Sequence, residues 1–235
     1  MLEHDPPAAA RDAGACAEGE TNIQDDAGLE LAVVRHGETD LNAVGSFQGQ
    51  VDPPLNARGH EQARALAERL RGERFDALVC SDLLRARQTA RPLAEVLGLD
   101  VMLEPLLREQ AFGAIDGLPV AEVQARLPQV WARFVQFVPD EAVADGAESY
   151  AAFAQRVGRA LEHLARRHPR PGARLLVVAH GGVLDVLYRR ALGLPLAGPR
   201  RCPIPHTGVN RLTLAPGGRL AIRRWAEIPP EPAAG

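Results

Sequence analysis

Residues 29–37 read LELAVVRHG. The run 29–34 is short, almost continuously apolar and rich in aliphatic side chains, as a strand buried on both faces requires. A second run, ARLLVVAH at 173–180, has the same form and ends in His180 just before Gly181 and Gly182. FDALVCS (75–81) and LDVMLE (99–104) read as further strands. Helical spacing fills the intervals. Asn56 is a candidate N-cap for a helix to about Leu70, with Ala63, Leu66, Ala67 and Leu70 as its apolar stripe and Gly72 as its stop. A second helix spans about Leu84–Leu97 and ends at Gly98. Residues 119–138 carry helical patterning broken at Pro128. A longer helix runs from about Ser149 to His168, with Phe153, Val157, Leu161 and Leu164 on one face. GVLDVLYRRAL (182–192) is a helix closed by Gly193, and residues 208–228 read as a hairpin around Pro216-Gly217-Gly218. Strands alternating with helices predict an α/β fold: a three-layer αβα sandwich around a mostly parallel central sheet.

The chain has 235 residues, 46% of them hydrophobic and 24% charged, enough for one sizeable α/β core. The expected folded domain is 29–228. Residues 1–28 hold seven acidic residues, one arginine and almost no bulky apolar side chain, so they read as a disordered acidic tail; 229–235 reads as a flexible C-terminal tail. The net charge of −3 gives no expectation of nucleic-acid binding, and no stretch approaches a membrane span. The N-terminus has neither a basic start nor an apolar run, which excludes a secretory signal. Three widely spaced cysteines (Cys16, Cys80, Cys202) support neither a disulfide framework nor a zinc site, and the expectation is cytoplasmic. There is no lysine, so Schiff-base and Walker-lysine chemistry are excluded.

Ligands bind at the carboxyl ends of strands in such sheets. Those ends carry Arg35-His36-Gly37, Ser81-Asp82 and His180-Gly181-Gly182. A buried strand has no structural need for a terminal histidine, and two on one edge beside an arginine point to chemistry. Arg85 and Arg87 open the helix after the second strand. Guanidinium groups match phosphate, so two histidines with arginines around a cleft suit a phosphoryl group. Residues two apart on a helix diverge, so one of Arg85 and Arg87 is read as solvated. His60, His163 and His168 read as polar-face residues, and no histidine pair has metal-ligand spacing. Cys80 reads as packed.

VVRHGETDLN (33–42) resembles the histidine phosphatase superfamily, which includes phosphoglycerate mutase-like enzymes. FQGQVDPPLNARG (47–59), SDLLRARQTA (81–90), LREQAFGAIDG (107–117), GAESYAAFAQRV (146–157) and VVAHGGVL (177–184) resemble that family's further motifs, in family order. The resemblance covers about residues 29–226. It implies His36 as a nucleophile that becomes phosphohistidine, with Arg35, Arg85 and His180 clamping the phosphoryl oxygens. Glu109 falls where the family's general acid falls, which would require partial burial to hold a proton. Asn42 and Gln48 match positions that touch phosphate or line the pocket. Gly49 would allow close backbone approach, Thr39 is a weaker contact, and Gly181 joins the substrate-binding set. The resemblance implies no metal and no cofactor, and as partner a small phosphorylated metabolite bound by a monomer or homodimer. His206, in PIPHTGVN, is either a loop residue or a substrate contact.

Two departures stand out. The family's F-G-x-W-E-G is Phe112-Gly113-Ala114-Ile115-Asp116-Gly117 here, a loop expected to alter the pocket floor without touching the phosphoryl-transfer residues. Asp185 stands where the family often has arginine, and is expected to make the nearby surface more acidic. The apolar residues of 131–138 default to core, with lid or dimer contact as alternatives. The interval from Glu109 to His180 holds three helical segments and little surplus, which favours a phosphatase that admits water over a mutase that excludes it. A non-catalytic phosphate-binding module is the third reading, and the presence of all five candidate catalytic residues speaks against it.

Overall fold

A computed structural model of the chain describes residues 28–228. Both predicted tails lie outside the described residues, except Gly28, which is buried against the sheet and accepts a hydrogen bond from the Gly172 N–H.

The strands are β1 (Leu29–Arg35), β2 (Ala77–Cys80), β3 (Val101–Leu103), β4 (Arg174–Ala179), β5 (Val209–Leu214) and β6 (Leu220–Glu227). They form one sheet in the order β3-β2-β4-β1-β5-β6. The first four are parallel to their neighbours; β5 runs antiparallel to β1, and β6 to β5. The central strands are apolar on both faces because both are covered. Leu31 and Val33 of β1, with Leu175 and Val177 of β4, join one core cluster. Ala32, Val34, Leu176 and Val178 join the other. This alternation is the period-2 pleat of a strand sandwiched between two helical layers.

One layer consists of α2 (Ala57–Arg69) and α3 (Leu84–Leu97), which bury Leu66, Ala67, Ala86, Ala90 and Leu93 against the sheet. Asn56 caps α2 by accepting from the Gly59 N–H at 2.8 Å, and Gly98 closes α3 in the left-handed conformation. The opposite layer consists of α6 (Tyr150–Arg167) and α7 (Gly181–Leu192), with Phe153, Val157, Leu161, Leu184 and Leu187 inward. Three short helices remain: α1 (Asp40–Ala43), α4 (Val120–Arg126) and α5 (Pro128–Gln136).

The core expectation for 131–138 holds for Phe137, which packs on the main core beside Tyr150, and is corrected for the α5 residues before it. No residue of α5 is buried, and Val135 is 62% exposed. Trp131 and Phe134 instead pack on a small satellite cluster formed by Phe47, Ile115, Val123 and Ala144. The segment covers a loop layer beside the sheet ends, where the sheet offers no face to bury against. Among the described residues, no helix is long and apolar enough to cross a membrane.

Candidate active site

Parallel register builds the centre of the site. Arg35 pairs with Ala179 across β1 and β4, so His36 and His180 emerge side by side, with ring centroids 5.1 Å apart. The ladder runs on past the strand ends: His36 N–H donates to Ala179 O and Ser81 N–H to Val178 O, each at 3.0 Å. Both histidines are buried.

His36 Nδ1 lies 2.7 Å from the Gly37 carbonyl oxygen. A carbonyl only accepts, so Nδ1 carries the proton and Nε2 presents a lone pair. Burial, and then the charges of Arg85 and Arg35, hold the His36 pKa well below the ordinary histidine value. The imidazole is therefore neutral at neutral pH. His180 is held low in the same way, by burial first and then by Arg85 and Arg35. Its Nε2 is 2.8 Å from Ser81 Oγ, and its Nδ1 is buried without a hydrogen-bond partner.

Arg85 is fully buried at the start of α3, where it donates to the carbonyls of Val51 (2.8 Å) and Gly49 (2.7 Å). Its Nε has no partner. Burial lowers its pKa to about 10, opposed first by Glu109, so it remains a cation at neutral pH. Arg87 is exposed, as helical divergence requires. Arg35 donates from Nη1 to Ile204 O at 2.8 Å.

Glu109 is half-buried. Its Oε2 accepts from the Gly182 N–H at 3.0 Å and its Oε1 from the Gln110 N–H at 2.9 Å. A Cβ on Gly182 would stand 2.3 Å from Oε1, so the carboxylate reaches the α7 N-terminus only over a glycine. Arg156 fixes the backbone behind it. That guanidinium donates to the carbonyls of Leu106, Arg108 and Glu109 and pairs with Glu148 at 2.7 Å. The 146–157 motif thereby positions Glu109.

The remaining predicted residues form one connected rim. Thr39 caps α1 in a capping box with Asn42: the Thr39 hydroxyl donates to Asn42 Oδ1 and accepts from the Asn42 N–H. Since that hydroxyl proton is committed, Gln48 must donate its Nε2 to Thr39 Oγ1, at 2.7 Å. Gln48 is left with an unpartnered buried Oε1, an acceptor suited to a hydroxyl and unsuited to a phosphoryl oxygen. Gly49 has a different reason from the expected one. Its φ is +46°, and a Cβ there would overlap the Asp116 carboxylate at 1.6 Å.

Asp116 meets the predicted phosphoryl-transfer residues only through its neighbours. It accepts from the N–H groups of Phe112 and Gln50, Gln50 Nε2 donates to Glu109 O, and Gly49 O accepts from Arg85. The altered loop is therefore linked through Gln50 and Gly49 to Glu109 and Arg85. Ile115, in place of the family's tryptophan, is fully buried in the satellite cluster. Asp185 does not make the surface acidic: it is buried, ion-paired with Arg189 at 2.8 Å and bonded by the Tyr150 hydroxyl. Cys80 is buried, and burial pushes its thiol up to about 12, matching a packed cysteine.

Residues 31–228 match the histidine phosphatase superfamily, branch 1. The chain belongs to the histidine phosphatase superfamily. It is 40% identical over 171 residues, 72% of this chain and 71% of the other, to a metal-independent phosphoserine phosphatase of Arabidopsis thaliana. It is 36% identical over 201 residues, 85% of each chain, to phosphoglycerate mutase-like protein 4 of the same organism. Among solved structures, a mycobacterial glucosyl-3-phosphoglycerate phosphatase superposes with a TM-score of 0.75 at 31% identity, covering 85% of this chain and 99% of that one. The histidine phosphatase motifs named Arg35, His36, Arg85, Glu109 and His180. They gave no role to Ser81, Arg156 or Asp116, and they left His206 open. His206 packs 5.7 Å from the His36 ring and its Nδ1 donates to His36 O at 2.8 Å. Burial, then Arg35, lowers its pKa to about 3. Its position beside Thr207, whose N–H donates to Arg35 O, was the available signal, and it required knowing where the 195–207 segment returns.

Proposed function

We propose that this histidine phosphatase is a metal-independent phosphomonoesterase working through phosphohistidine at His36 on a small phosphorylated metabolite. The observation that carries this reading is the fixed tautomer of a buried neutral His36, with its bare Nε2 among two arginines and a second histidine. His36 Nε2 attacks phosphorus, the P–O ester bond breaks, and Glu109 gives a proton to the departing alkoxide. Water then attacks phosphorus with Glu109 taking its proton, the P–N bond breaks with its electron pair returning to Nε2, and phosphate leaves with His36 neutral again. Arg35 and Arg85 meet the phosphoryl charge, the part a metal ion plays elsewhere. The partnerless Arg85 Nε and His180 Nδ1 are buried polar atoms that phosphoryl oxygens would satisfy. For His180 this requires Ser81 Oγ to donate to Nε2, leaving the proton on Nδ1. Asn42, Thr39, Gln48, Gly49 and Gly181 complete the pocket wall. The name of the Arabidopsis thaliana phosphoserine phosphatase supports metal independence and hydrolysis.

The mutase-like relative favours a second reading, phosphoryl transfer between phosphoglycerates. Phosphate release in chelator, across a panel of phosphomonoesters that includes 3-phosphoglycerate, separates the two. Release by the wild type, lost by about 10³-fold or more in His36→Ala, is expected. Isomerisation that is stimulated by bisphosphoglycerate and outpaces release would establish the mutase. Full turnover by His36→Ala would end both readings.

A further inference from the structure

The two sides of β1 are held differently where the strand ends. On the β4 side the ladder runs on, through Arg35 paired with Ala179 and the His36 N–H bonded to Ala179 O. On the β5 side the regular pairing stops at Val34 and Val209. Beyond that point the loop between α7 and β5 takes over. Ile204 O accepts from Arg35 Nη1 at 2.8 Å, the Thr207 N–H donates to Arg35 O at 3.0 Å, and His206 Nδ1 donates to His36 O at 2.8 Å. On that side Arg35 and His36 are therefore only as fixed as this loop.

The loop is fixed from α7. Arg189 donates to the carbonyls of Pro195, Ala197, Gly198 and Pro199 at 2.7–3.0 Å. Its remaining donor, Nε–H, goes to Asp185 Oδ2 at 2.8 Å, one turn earlier on the same helix, so every N–H of the guanidinium is used. The Tyr150 hydroxyl, at the start of α6, donates to the same carboxylate oxygen. Arg189 and Asp185 are both buried. Four neutral carbonyls do not balance a buried cation, and the Asp185 carboxylate does. Further along, Trp225 Nε1 donates to Pro203 O at 2.8 Å, and Cys202 and Ile204 are buried in the main core. The loop is thus pinned at 195–199 and at 202–204, and its next residues meet the nucleophile strand.

We propose that Asp185 and Arg189 are positioning residues for His36 and Arg35, acting through the 195–207 segment and its contacts from Ile204, His206 and Thr207. The inference rests on the reading of His36 as the nucleophile. In-line attack needs Nε2 aligned with the breaking P–O bond, and a misplacement on the order of 1 Å costs up to about 10²-fold. Loosening the loop should therefore appear in kcat, with KM little changed.

The test uses Asp185→Asn, which keeps the side-chain size and removes the charge that balances Arg189, and His206→Ala, which removes one contact to the strand. Each should lower kcat by about tenfold with KM within about twofold, for whichever turnover the wild type supports. The double variant should be no more than about twofold slower than the slower single variant, because both changes act on one brace. Amide hydrogen exchange reads the brace without turnover. In Asp185→Asn the Thr207 N–H should exchange about tenfold faster relative to Val33, inside β1. Should Asp185→Asn not fold, Tyr150→Phe removes one partner of the same carboxylate and carries the same comparison. Absent turnover in the wild type overturns the nucleophile reading, while the exchange measurement still decides whether the loop is braced from α7. Unchanged kcat in the folded variants, a loss confined to KM, effects that multiply in the double variant, or Thr207 exchange unchanged relative to Val33 overturns this inference.

Discussion

The floor of the site and its rim are built by different physics. On the floor, backbone ladders of β1, β2 and β4 run through the strand ends and set His36, Ser81 and His180 by register. On the rim, single side chains hold irregular backbone. Arg156 gathers the carbonyls of 106–109, and Arg189 gathers those of 195–199. A ladder distributes its hydrogen bonds over many residues, whereas each rim segment depends on one guanidinium. The floor should therefore tolerate substitution in stability and fail in chemistry, and the rim should fail in both.

The sharpest way to break this contrast is Arg85→Ala, at the junction of the two regions. Loss of the buried cation should reduce kcat/KM by about 10³-fold, in the range of a lost transition-state donor. Steady-state kinetics on any accepted ester would check it, and a loss below tenfold would remove Arg85 from the clamp. Arg156→Met comes next. It leaves the Leu106 and Arg108 carbonyls and the Glu148 carboxylate without this partner, and should cost about 3 kcal/mol of stability together with activity. Urea denaturation would read this, and an unchanged midpoint would mean the rim does not depend on one residue. Gly182→Ala sharpens the same boundary. The added methyl meets Glu109 Oε1 and the buried Phe153 ring, so kcat should fall by about tenfold through displacement of Glu109, with a lowered melting temperature from the shifted ring.

The smallest effect is the pH dependence of stability. The pKa values of His36, His180 and His206 are all lowered by folding, the last to about 3. Below pH 6.5 the unfolded chain takes up protons that the folded chain refuses, so stability is lost as pH falls through that window. Each histidine should contribute up to about 1 kcal/mol per pH unit. Melting temperatures between pH 7.5 and 5 would show the decline, and His206→Asn should make it shallower by one proton's worth. A flat profile would contradict neutral buried histidines on the floor.

Most elements were legible because their signals are local. Asn56, Gly98, Ser149 and Gly193 mark helix ends through the chemistry of single caps, and the structure places helix boundaries beside each of them. The apolar strands could be read because burial on both faces leaves no alternation to misread. The α5 part of segment 131–138 was misread for the converse reason, while Phe137 does pack on the main core. Its apolar residues show helical spacing, but spacing does not tell whether the sheet extends far enough to cover them. Asp185 was misread because its charge is evident from sequence while its partners, Arg189 and Tyr150, are defined by packing.

The sequence by itself determined the alternating strands and helices, the pair of strand-terminal histidines, and the family to which they belong. These follow from periodicity, capping and short motifs, which are properties of neighbours along the chain. Only the tertiary structure decided which nitrogen of His36 is bare, why Gly49 and Gly182 must be glycine, and that Arg156 and Arg189 hold the loops beside the strand ends. Those facts depend on contacts between residues far apart in sequence, formed where a carbonyl, a carboxylate and a guanidinium meet.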